Sequence, residues 1–446
     1  SGHQALTCSR RIAHAGDRGT HAGAAHVDAL LEHRYTRQEP CAPTPVCQIA
    51  SYPRAIVILQ EQIERAGLAD IHAKVAAGQR LSADDGGRLY ESADLPVLGY
   101  LANLVREDRH GHTTYYVRNQ HINYTNICNK LCKFCSFYVK PNHEKGYVLD
   151  PEQVAQRVTD YAEVPITEIH MVGGVNPKLP YQYYLDVLQA MKQARPEAHL
   201  KAFTMIEVAQ IQRIAKKPLE EVFADMRAVG LESLPGGGAE VFSERVHEDL
   251  FWTKADSDDW LAIAAEAHKA GLPSNATMLY GHVENTQEKV YHLCRLREVQ
   301  DETKGFLAYI PLSFHPERTE IDHLPGPTGQ LDLKEVAVGR LMLDNFPHVK
   351  TFWIMNTIEI SQVALWYGAN DIDGTIMDYE ITRTSFEDTQ QRLTQKNLLD
   401  RIVEAGRQPV ERDSLYNVVA DAETLVAADR GSSQSELERQ ASGTDG

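Results

Sequence analysis

From about residue 115 onward, short apolar runs alternate with longer stretches that have the periodicity of an amphipathic helix. Seven of the short runs predict strands, at residues 115–123, 168–172, 200–205, 231–234, 273–279, 306–311 and 351–355. Helical stretches follow them, for example at residues 286–303, 331–345 and 358–367. This alternation predicts parallel strands joined by right-handed crossovers, and seven or eight units over roughly 260 residues predict an α/β fold of the TIM-barrel type.

The alternative to a barrel is a doubly wound open sheet. A Rossmann version of that sheet carries a GxGxxG motif after its first strand, and this sequence has none there. We therefore place a (βα) barrel at residues 115–385, preceded by a helical lead-in at residues 51–114 in which residues 82–85 resemble a helix cap. In a TIM barrel the chemistry lies at the carboxyl ends of the strands, where nearly all the candidate motifs fall.

The two ends of the chain have a different character. Residues 1–50 lack sustained periodicity and predict a disordered extension, which we interpret as a processed start, an expression remnant or an upstream extension. Residues 386–430 predict a C-terminal helical segment. Residues 431–446 are rich in Ser, Gln, Glu and Gly and predict a disordered tail.

The charge balance narrows the range of partners. The chain has 45 basic and 62 acidic side chains and a formal net charge of −17, which repels phosphate backbones and anionic membrane surfaces. No apolar run in the sequence approaches the ~18–20 residues that a membrane span requires. We therefore expect a cytoplasmic enzyme that binds neither nucleic acid nor membrane.

Three of the seven cysteines, Cys128, Cys132 and Cys135, lie within eight residues on the loop after the first predicted strand. Three thiolates can bind three irons of a [4Fe-4S] cluster, which leaves the fourth iron open to the amino and carboxylate groups of S-adenosylmethionine. A structural zinc site usually has four ligands, and no second cysteine pair is visible. A ferredoxin-like electron carrier needs a fourth cysteine, and Cys294 is distant in sequence. Three buried cysteines without a metal are the remaining alternative.

This cysteine segment, with Phe134 directly before its third cysteine, resembles the signature loop of the radical S-adenosylmethionine (radical SAM) superfamily. The resemblance implies a partial or full TIM barrel in which Cys128, Cys132 and Cys135 bind the [4Fe-4S] cluster. It also implies that the backbone around Phe134 approaches the adenine of S-adenosylmethionine. We assign Phe134 and Tyr138, at the end of the segment, as cofactor-binding residues.

Further cofactor-binding candidates follow later strands. Gly173 and Gly174, with Asn176 two residues on, resemble the superfamily turn that contacts the methionine amino group, although a tight βα turn explains paired glycines nearly as well. Glu207 is a candidate for the ribose hydroxyls or the amino group, and a helix N-terminal carboxylate is its alternative. Thr277 lies on a segment that offers polar atoms to the mouth of the barrel.

Residues 121–126, 234–242 and 278–284 resemble the menaquinone and deazaflavin branch of the superfamily, and residues 73–383 resemble the aminofutalosine synthase family most closely. The resemblance implies addition of the 5′-deoxyadenosyl radical to 3-[(1-carboxyvinyl)oxy]benzoate, giving 6-amino-6-deoxyfutalosine, methionine and bicarbonate in menaquinone biosynthesis. Dehypoxanthine futalosine cyclase and the deazaflavin (FO) synthase subunits are the alternatives within the branch. An iron–sulfur electron carrier and a zinc-stabilised binding module are more distant alternatives.

A small-molecule substrate with two carboxylates requires cationic or multi-donor anchors. Our candidates for catalytic or anchoring roles are Arg118, His121, His282 and Arg318, with His315, His323 and Thr375 as further candidates; the alternative for each is a surface or ion-paired residue. The resemblance also implies an external electron donor of the flavodoxin or ferredoxin type. A homodimer is a candidate assembly.

Overall fold

A computed structural model describes residues 53–375, 380–383, 392–421 and 424–425, with side chains described from residue 59 onward, other than those of residues 382 and 383. The two predicted disordered ends, residues 1–50 and 431–446, lie outside the described residues. The chain divides between Glu61 and Gln62, and of the first part the structure describes only residues 53–61, in the first helix.

The lead-in region contains the predicted helices: α1 (Pro53–Arg65), α2 (Ala69–Ala76), α3 (Ala83–Glu91) and α4 (Leu95–His110). The predicted cap before α3 is a reciprocal capping box. The Ser82 hydroxyl accepts a hydrogen bond from the Asp85 amide, and the Asp85 carboxylate accepts one from the Ser82 amide. These bonds satisfy backbone groups that the first turn of a helix leaves without partners.

Eight strand positions form the predicted TIM-type barrel. The named strands are β1 (Thr113–Val117), β2 (Asn119–Asn123), β3 (Glu168–Val172), β4 (His199–Ala202), β5 (Ser274–Tyr280), β6 (Phe306–Ser313), β7 (His348–Val349) and β8 (Asp371–Gly374). β1 and β2 are two halves of one barrel strand separated by Arg118. Parallel pairing joins β2 to β3 and β4, β5 to β6 and β7, and β8 to β1. Isolated parallel bridges complete the ring, namely Lys201–Ser233, Leu234–Ser274 and Lys350–Asp371.

Helices connect the strands and surround the barrel. They are α5 (Pro151–Thr159), α6 (Tyr181–Ala194), α7 (Met205–Ala215), α8 (Leu219–Ala228), α9 (Glu244–Leu250), α10 (Ser257–Lys269), α11 (Thr286–Thr303), α12 (Gly329–Met342), α13 (Trp353–Asn356), α14 (Ile358–Ala364), α15 (Glu380–Arg383) and α16 (Gln395–Glu404). Strand β3 and helix α11 have the bounds that the sequence pattern predicts.

Two predicted strands differ from the structure. The strand expected at residues 351–355 is wrong, because the strand ends with the Lys350 bridge and α13 occupies residues 353–356. A short, fully buried apolar run does not distinguish a strand from a helix. The strand expected at residues 231–234 is reduced to isolated bridges.

The C-terminal segment contains two strands in addition to the predicted helical structure. After α16 the structure has β9 (Gln408–Arg412), parallel to β1, and β10 (Val418–Ala420), antiparallel to β9. Charged residues at the end of β9 mask its pattern, because Glu411 and Arg412 are buried although their side chains are ionisable. β9 therefore lies beside the amino-terminal half of the first barrel strand, and β10 lies on the outer side of β9.

Six buried charged residues form three ion pairs inside the barrel, on or next to β3, β4, β7, β8 and β9. We call these six residues the polar floor. They are Glu168, Lys201, Lys350, Asp371, Asp373 and Arg412. The ammonium nitrogen of Lys201 lies 2.6 Å from Glu168, the guanidinium of Arg412 lies 2.5 Å from Asp371, and the ammonium of Lys350 lies 2.9 Å from Asp373. Pairing offsets the large cost of removing each charge from water.

Candidate functional site

A pocket of about 300 Å³ opens at the carboxyl ends of the barrel strands. Its lining combines the cysteine loop, the turns after several strands and part of the polar floor. The lining residues include Cys128, Cys132, Phe134, Cys135, Tyr138, His170, Gly173, Gly174, Thr204, Gly236, Glu240, Lys254, Thr277, His315, Lys350 and Asp373. This volume is within the range of small-molecule sites.

The cysteine loop is held in place by backbone hydrogen bonds. The Cys128 amide donates to the Val139 carbonyl at 3.0 Å, and the Lys133 amide donates to the Leu250 carbonyl at 2.9 Å. Cys128 and Cys132 are buried, and all three thiols line the pocket. Burial raises the pKa of Cys132 and Cys135, so their thiolate forms require nearby positive charge.

The donor set fits a [4Fe-4S] cluster. Among the described residues, no three His, Cys, Asp or Glu side chains are arranged around a single metal ion. A cubane cluster makes a different demand, because each thiolate binds its own iron and the three sulfur atoms do not converge on one point. Cys128, Cys132 and Cys135, which line one pocket, would hold such a cluster, and its iron ions would supply the positive charge that the thiolates require.

Gly173 and Gly174 allow the turn after β3 to pack against the cysteine loop. A Cβ on Gly174 would lie 2.5 Å from the carbonyl oxygen of Ile127, and one on Gly173 would lie 2.7 Å from the ring of Tyr124. Both glycines line the pocket. Close backbone approach therefore explains them structurally, and their contact with S-adenosylmethionine stays a prediction.

Glu207 lies behind the lining of the pocket and contacts protein groups. Its carboxylate accepts hydrogen bonds from the Tyr124 hydroxyl at 2.8 Å, from the Gly173 amide at 3.1 Å, and from the amide and hydroxyl of Thr204, both at 2.8 Å. Burial raises its pKa to about 7. The expected direct contact of Glu207 with the cofactor does not match this position, whereas the alternative of a helix N-terminal carboxylate does.

A glycine-rich segment forms the wall after the fourth strand position. The Thr277 hydroxyl donates to the Gly236 carbonyl at 2.7 Å, and a Cβ on Gly236 would lie 2.6 Å from the backbone of Asn275. Thr277 lines the pocket as predicted, but this hydrogen bond uses its hydroxyl proton. The oxygen keeps acceptor capacity towards a ligand.

Sequence reasoning missed the pair of Lys254 and Glu240 beside the cysteines. The Lys254 ammonium is hydrogen-bonded to the Glu240 carboxylate and lies 5.3 Å from the centre of the Phe134 ring. Although burial opposes the charge, the Cys132 thiolate and Glu240 raise the pKa of Lys254. No local motif marks this lysine, because the chain fold brings it to Phe134 from a distant segment.

Several predicted binding residues lie outside the lining. Arg118 pairs with Glu411 at 2.6 Å between β1 and β2, and Asn176 accepts a hydrogen bond from the Lys178 amide within its own turn. His282 is bonded to the Leu279 carbonyl at 3.1 Å and lies 3.1 Å from Glu284, so it stabilises the loop after β5. The expectation that Arg118 and His282 contact substrate is therefore not supported by their positions.

The remaining candidates divide between the pocket and its surroundings. His121 lies behind His170, with 4.3 Å between ring centres, and neither His121, Arg318 nor His323 lines the pocket. Thr375 donates its hydroxyl proton to the Asn119 carbonyl at 3.2 Å. His315 does line the pocket, and its ring bonds the Met355 carbonyl at 2.9 Å.

The barrel and its cysteine loop define a radical SAM protein, and comparison with known families agrees. The radical SAM superfamily model matches residues 122–296, and the CofH/MqnC C-terminal region matches residues 303–425. Methylornithine synthase has the same fold, with a TM-score of 0.62 over 76% of this chain and 96% of that chain at 16% identity.

Relatives along most of the chain specify the family further. An aminodeoxyfutalosine synthase from Thermus thermophilus is 44% identical over 79% of this chain and 96% of its own length, and one from Streptomyces coelicolor is 39% identical over 82% and 97%. The chain belongs to the aminodeoxyfutalosine synthase family. A cyclic dehypoxanthine futalosine synthase from Halalkalibacterium halodurans is 35% identical over 79% of this chain and 95% of its own length.

Membership of the radical SAM superfamily implies a [4Fe-4S] cluster, S-adenosylmethionine, a small-molecule substrate and a reductant. Among the helices that the structure describes, none combines the length and apolar character needed to cross a bilayer.

Proposed function

We propose that this chain adds the 5′-deoxyadenosyl radical to 3-[(1-carboxyvinyl)oxy]benzoate and forms 6-amino-6-deoxyfutalosine, methionine and bicarbonate in menaquinone biosynthesis. The main support is a single pocket that brings together three thiols and the turn at Gly173 and Gly174. That pocket lies in a chain that is 44% identical to an aminodeoxyfutalosine synthase.

Cys128, Cys132 and Cys135 would hold the cluster. When bound, the cluster supplies the electron that cleaves the S–C5′ bond of S-adenosylmethionine. Phe134 and Tyr138 provide aromatic surface for the adenine, and Gly173, Gly174 and Thr277 provide polar groups for the rest of the cofactor.

Part of the pocket lining is apolar and would exclude water from the radical reaction. The lining includes Leu312, Phe314, Phe352 and Met355. Such a surface suits the aromatic ring of the substrate, and exclusion of water prevents side reactions of reactive species. The polar lining groups His170, Asn275, His315 and Lys350 suit a ligand that also carries carboxylates.

The described residues include one cysteine besides the three on the loop, Cys294, which by itself does not make a second cluster site. We therefore propose that electrons come from an external donor of the flavodoxin or ferredoxin type. We also propose that the enzyme works in the cytoplasm. A homodimer stays a prediction.

The proposed function is tested under anaerobic conditions. The protein is reconstituted with iron and sulfide, reduced with dithionite, and given S-adenosylmethionine and 3-[(1-carboxyvinyl)oxy]benzoate, with Cys135→Ala as the matched control. Mass spectrometry should detect aminodeoxyfutalosine and methionine from the wild type and neither from the control.

Formation of only 5′-deoxyadenosine and methionine would contradict the proposal. The alternative is the cyclase reaction, since a cyclic dehypoxanthine futalosine synthase is 35% identical to this chain. Turnover of dehypoxanthine futalosine with release of 5′-deoxyadenosine would support that alternative.

A further inference from the structure

Lys350 is a buried cation at the inner end of the pocket. It lines the pocket, its side chain is 4% exposed, and its ammonium nitrogen lies 2.9 Å from the Asp373 carboxylate. We propose that Lys350, oriented by Asp373, binds the benzoate carboxylate of the substrate and thereby sets which end of the substrate faces the cysteines. This inference rests on the proposed function.

The depth of Lys350 follows from the strand register. Lys350 is bridged to Asp371, and Asp371 pairs with Tyr115 on the first barrel strand. That strand continues to Asn123 before the cysteine loop begins, so the backbone of Lys350 lies well below the loop. The thiols are therefore at the mouth of the pocket and the Lys350 ammonium is at its inner end.

The other two cations of the polar floor do not present their charge to the pocket. Lys201 and Arg412 are paired with Glu168 and Asp371 and do not line the pocket. An ammonium group can donate three hydrogen bonds, and within the described part of the chain Lys350 makes one, to Asp373. A ligand carboxylate would satisfy a second donor and help to offset the cost of burying the ammonium.

The histidines of the pocket do not replace this cation. Burial lowers the pKa of His170 to about 3 and also lowers the pKa of His315, so both rings are neutral near pH 7. Of the other lysines in the lining, Lys254 is paired with Glu240 beside the cysteines, and Lys130 donates to the Thr253 carbonyl. Lys350 is thus the cation of the lining that the fold places on the polar floor.

The chemistry of the substrate selects which carboxylate Lys350 binds. In the proposed reaction the double bond combines with C5′ of S-adenosylmethionine, which the cluster on the cysteine loop would hold. The enolpyruvyl carboxylate is attached to that double bond and therefore lies at the same end. The benzoate carboxylate is at the far end of the molecule. Phe352, two residues after Lys350, also lines the pocket and offers the ring an apolar surface.

The test compares two substrates and four enzymes. The substrates are 3-[(1-carboxyvinyl)oxy]benzoate and 2-phenoxyacrylate, which lacks the ring carboxylate. The enzymes are the wild type, Lys350→Met, the charge-balanced double variant Lys350→Met/Asp373→Asn, and Lys201→Met, which removes a buried lysine outside the lining. Iron content and thermal unfolding show whether each variant retains its cluster and its fold.

For Lys350→Met we expect KM for the full substrate to rise at least about tenfold, the typical effect of losing a charge-assisted hydrogen bond. KM for 2-phenoxyacrylate should change less than about threefold, because this substrate lacks the carboxylate that Lys350 would bind. The double variant should show the same selectivity with better stability. Calorimetric binding of the full substrate should weaken in parallel, whereas Lys201→Met should affect both substrates alike.

Equal changes in KM for both substrates in Lys350→Met and in the double variant would overturn the inference while leaving the proposed function intact. Absence of aminodeoxyfutalosine from the wild type would overturn the proposed function and this inference with it.

Discussion

The carboxylate of Glu207 accepts a hydrogen bond from the backbone amide of Gly173 at 3.1 Å. This bond joins the first turn of α7 to the turn after β3, and Glu207 also binds Thr204, which lines the pocket. A buried carboxylate thus positions two segments of the lining without lying in it. Groups in this position often affect a site nearly as strongly as the groups that touch the ligand.

Glu207→Ala is expected to weaken binding of S-adenosylmethionine by about 10- to 100-fold, because Gly173 and Thr204 lose their common acceptor. Calorimetry on the anaerobically reconstituted protein measures the affinity, and iron and sulfide assays should show an unchanged cluster. Glu288→Ala is the matched control, since Glu288 completes the capping box of α11 away from the pocket. Unchanged affinity in Glu207→Ala would show that Glu207 acts only as part of the helix cap and does not position the binding site.

The stability of the protein should decrease between pH 5 and pH 8 because of Glu207. Burial raises its pKa from 4.5 to about 7, so folding favours the protonated form. Its contribution to stability is complete below pH 4.5 and is lost as the pH rises through 7, by about 3 kcal/mol in total.

Glu207→Gln removes this titration. Across this pH range, the melting temperature of the wild type should therefore fall relative to that of Glu207→Gln as the pH rises. A constant difference between the two proteins would contradict the raised pKa.

Gly174→Ala should impair assembly of the cysteine loop. The new Cβ would lie 2.5 Å from the Ile127 carbonyl oxygen, and Ile127 directly precedes Cys128, so the backbone of the loop must move. We expect a lower iron and sulfide content per chain after reconstitution.

Gly87→Ala is the matched control for that variant. Gly87 lies inside α3, and a Cβ there would have no heavy atom within 4 Å. Alanine in a helix is about 0.5–1 kcal/mol more favourable than glycine, so this variant should be at least as stable as the wild type with a full cluster. A full cluster in Gly174→Ala would show that the loop tolerates the displacement.

Arg118→Ala should reduce stability rather than substrate affinity. Arg118 pairs with Glu411, whose side chain is 2% exposed, and loss of the arginine leaves a buried carboxylate without its cation. Such a change costs about 3–5 kcal/mol, and Arg118→Met with Glu411→Gln should recover part of it. Chemical denaturation measures the cost. A rise in KM at unchanged stability would instead restore Arg118 as a substrate anchor.

The residues that the sequence identifies are those whose signal is local. Cys128, Cys132 and Cys135 share one loop, and the strand at residues 168–172 carries an uninterrupted pattern, so spacing predicts both. Arg118 looks like a free cation in sequence because its partner, Glu411, lies 293 positions away.

The same reason explains the missed pocket lysines. Lys350 and Asp373 belong to different strands, and only barrel closure brings them together. Lys254 follows a short helix and reaches Phe134 through the fold of the loop after the fourth strand position. Neither lysine has a motif, so charge and spacing alone do not distinguish them from surface residues.

Lys254 is expected to raise the reduction potential of the cluster that the cysteines would hold. Its buried ammonium lies close enough to Cys132 for the thiolate to raise its pKa, and a fixed positive charge favours addition of an electron nearby. Lys254→Met should therefore lower the midpoint potential, whereas Lys254→Arg keeps the charge and should change it less. Potentiometric titration followed by electron paramagnetic resonance measures both variants.

Lys133→Met provides the control for Lys254. Lys133 lies on the cysteine loop itself, but its side chain is 32% exposed against 10% for Lys254, so solvent screens the charge of Lys133 more strongly. The midpoint potential should therefore be nearly unchanged in Lys133→Met although this residue is closer in sequence to the cysteines. Equal shifts in Lys254→Met and Lys254→Arg would assign the effect to packing against Phe134, and no shift in Lys254→Met would contradict the electrostatic role.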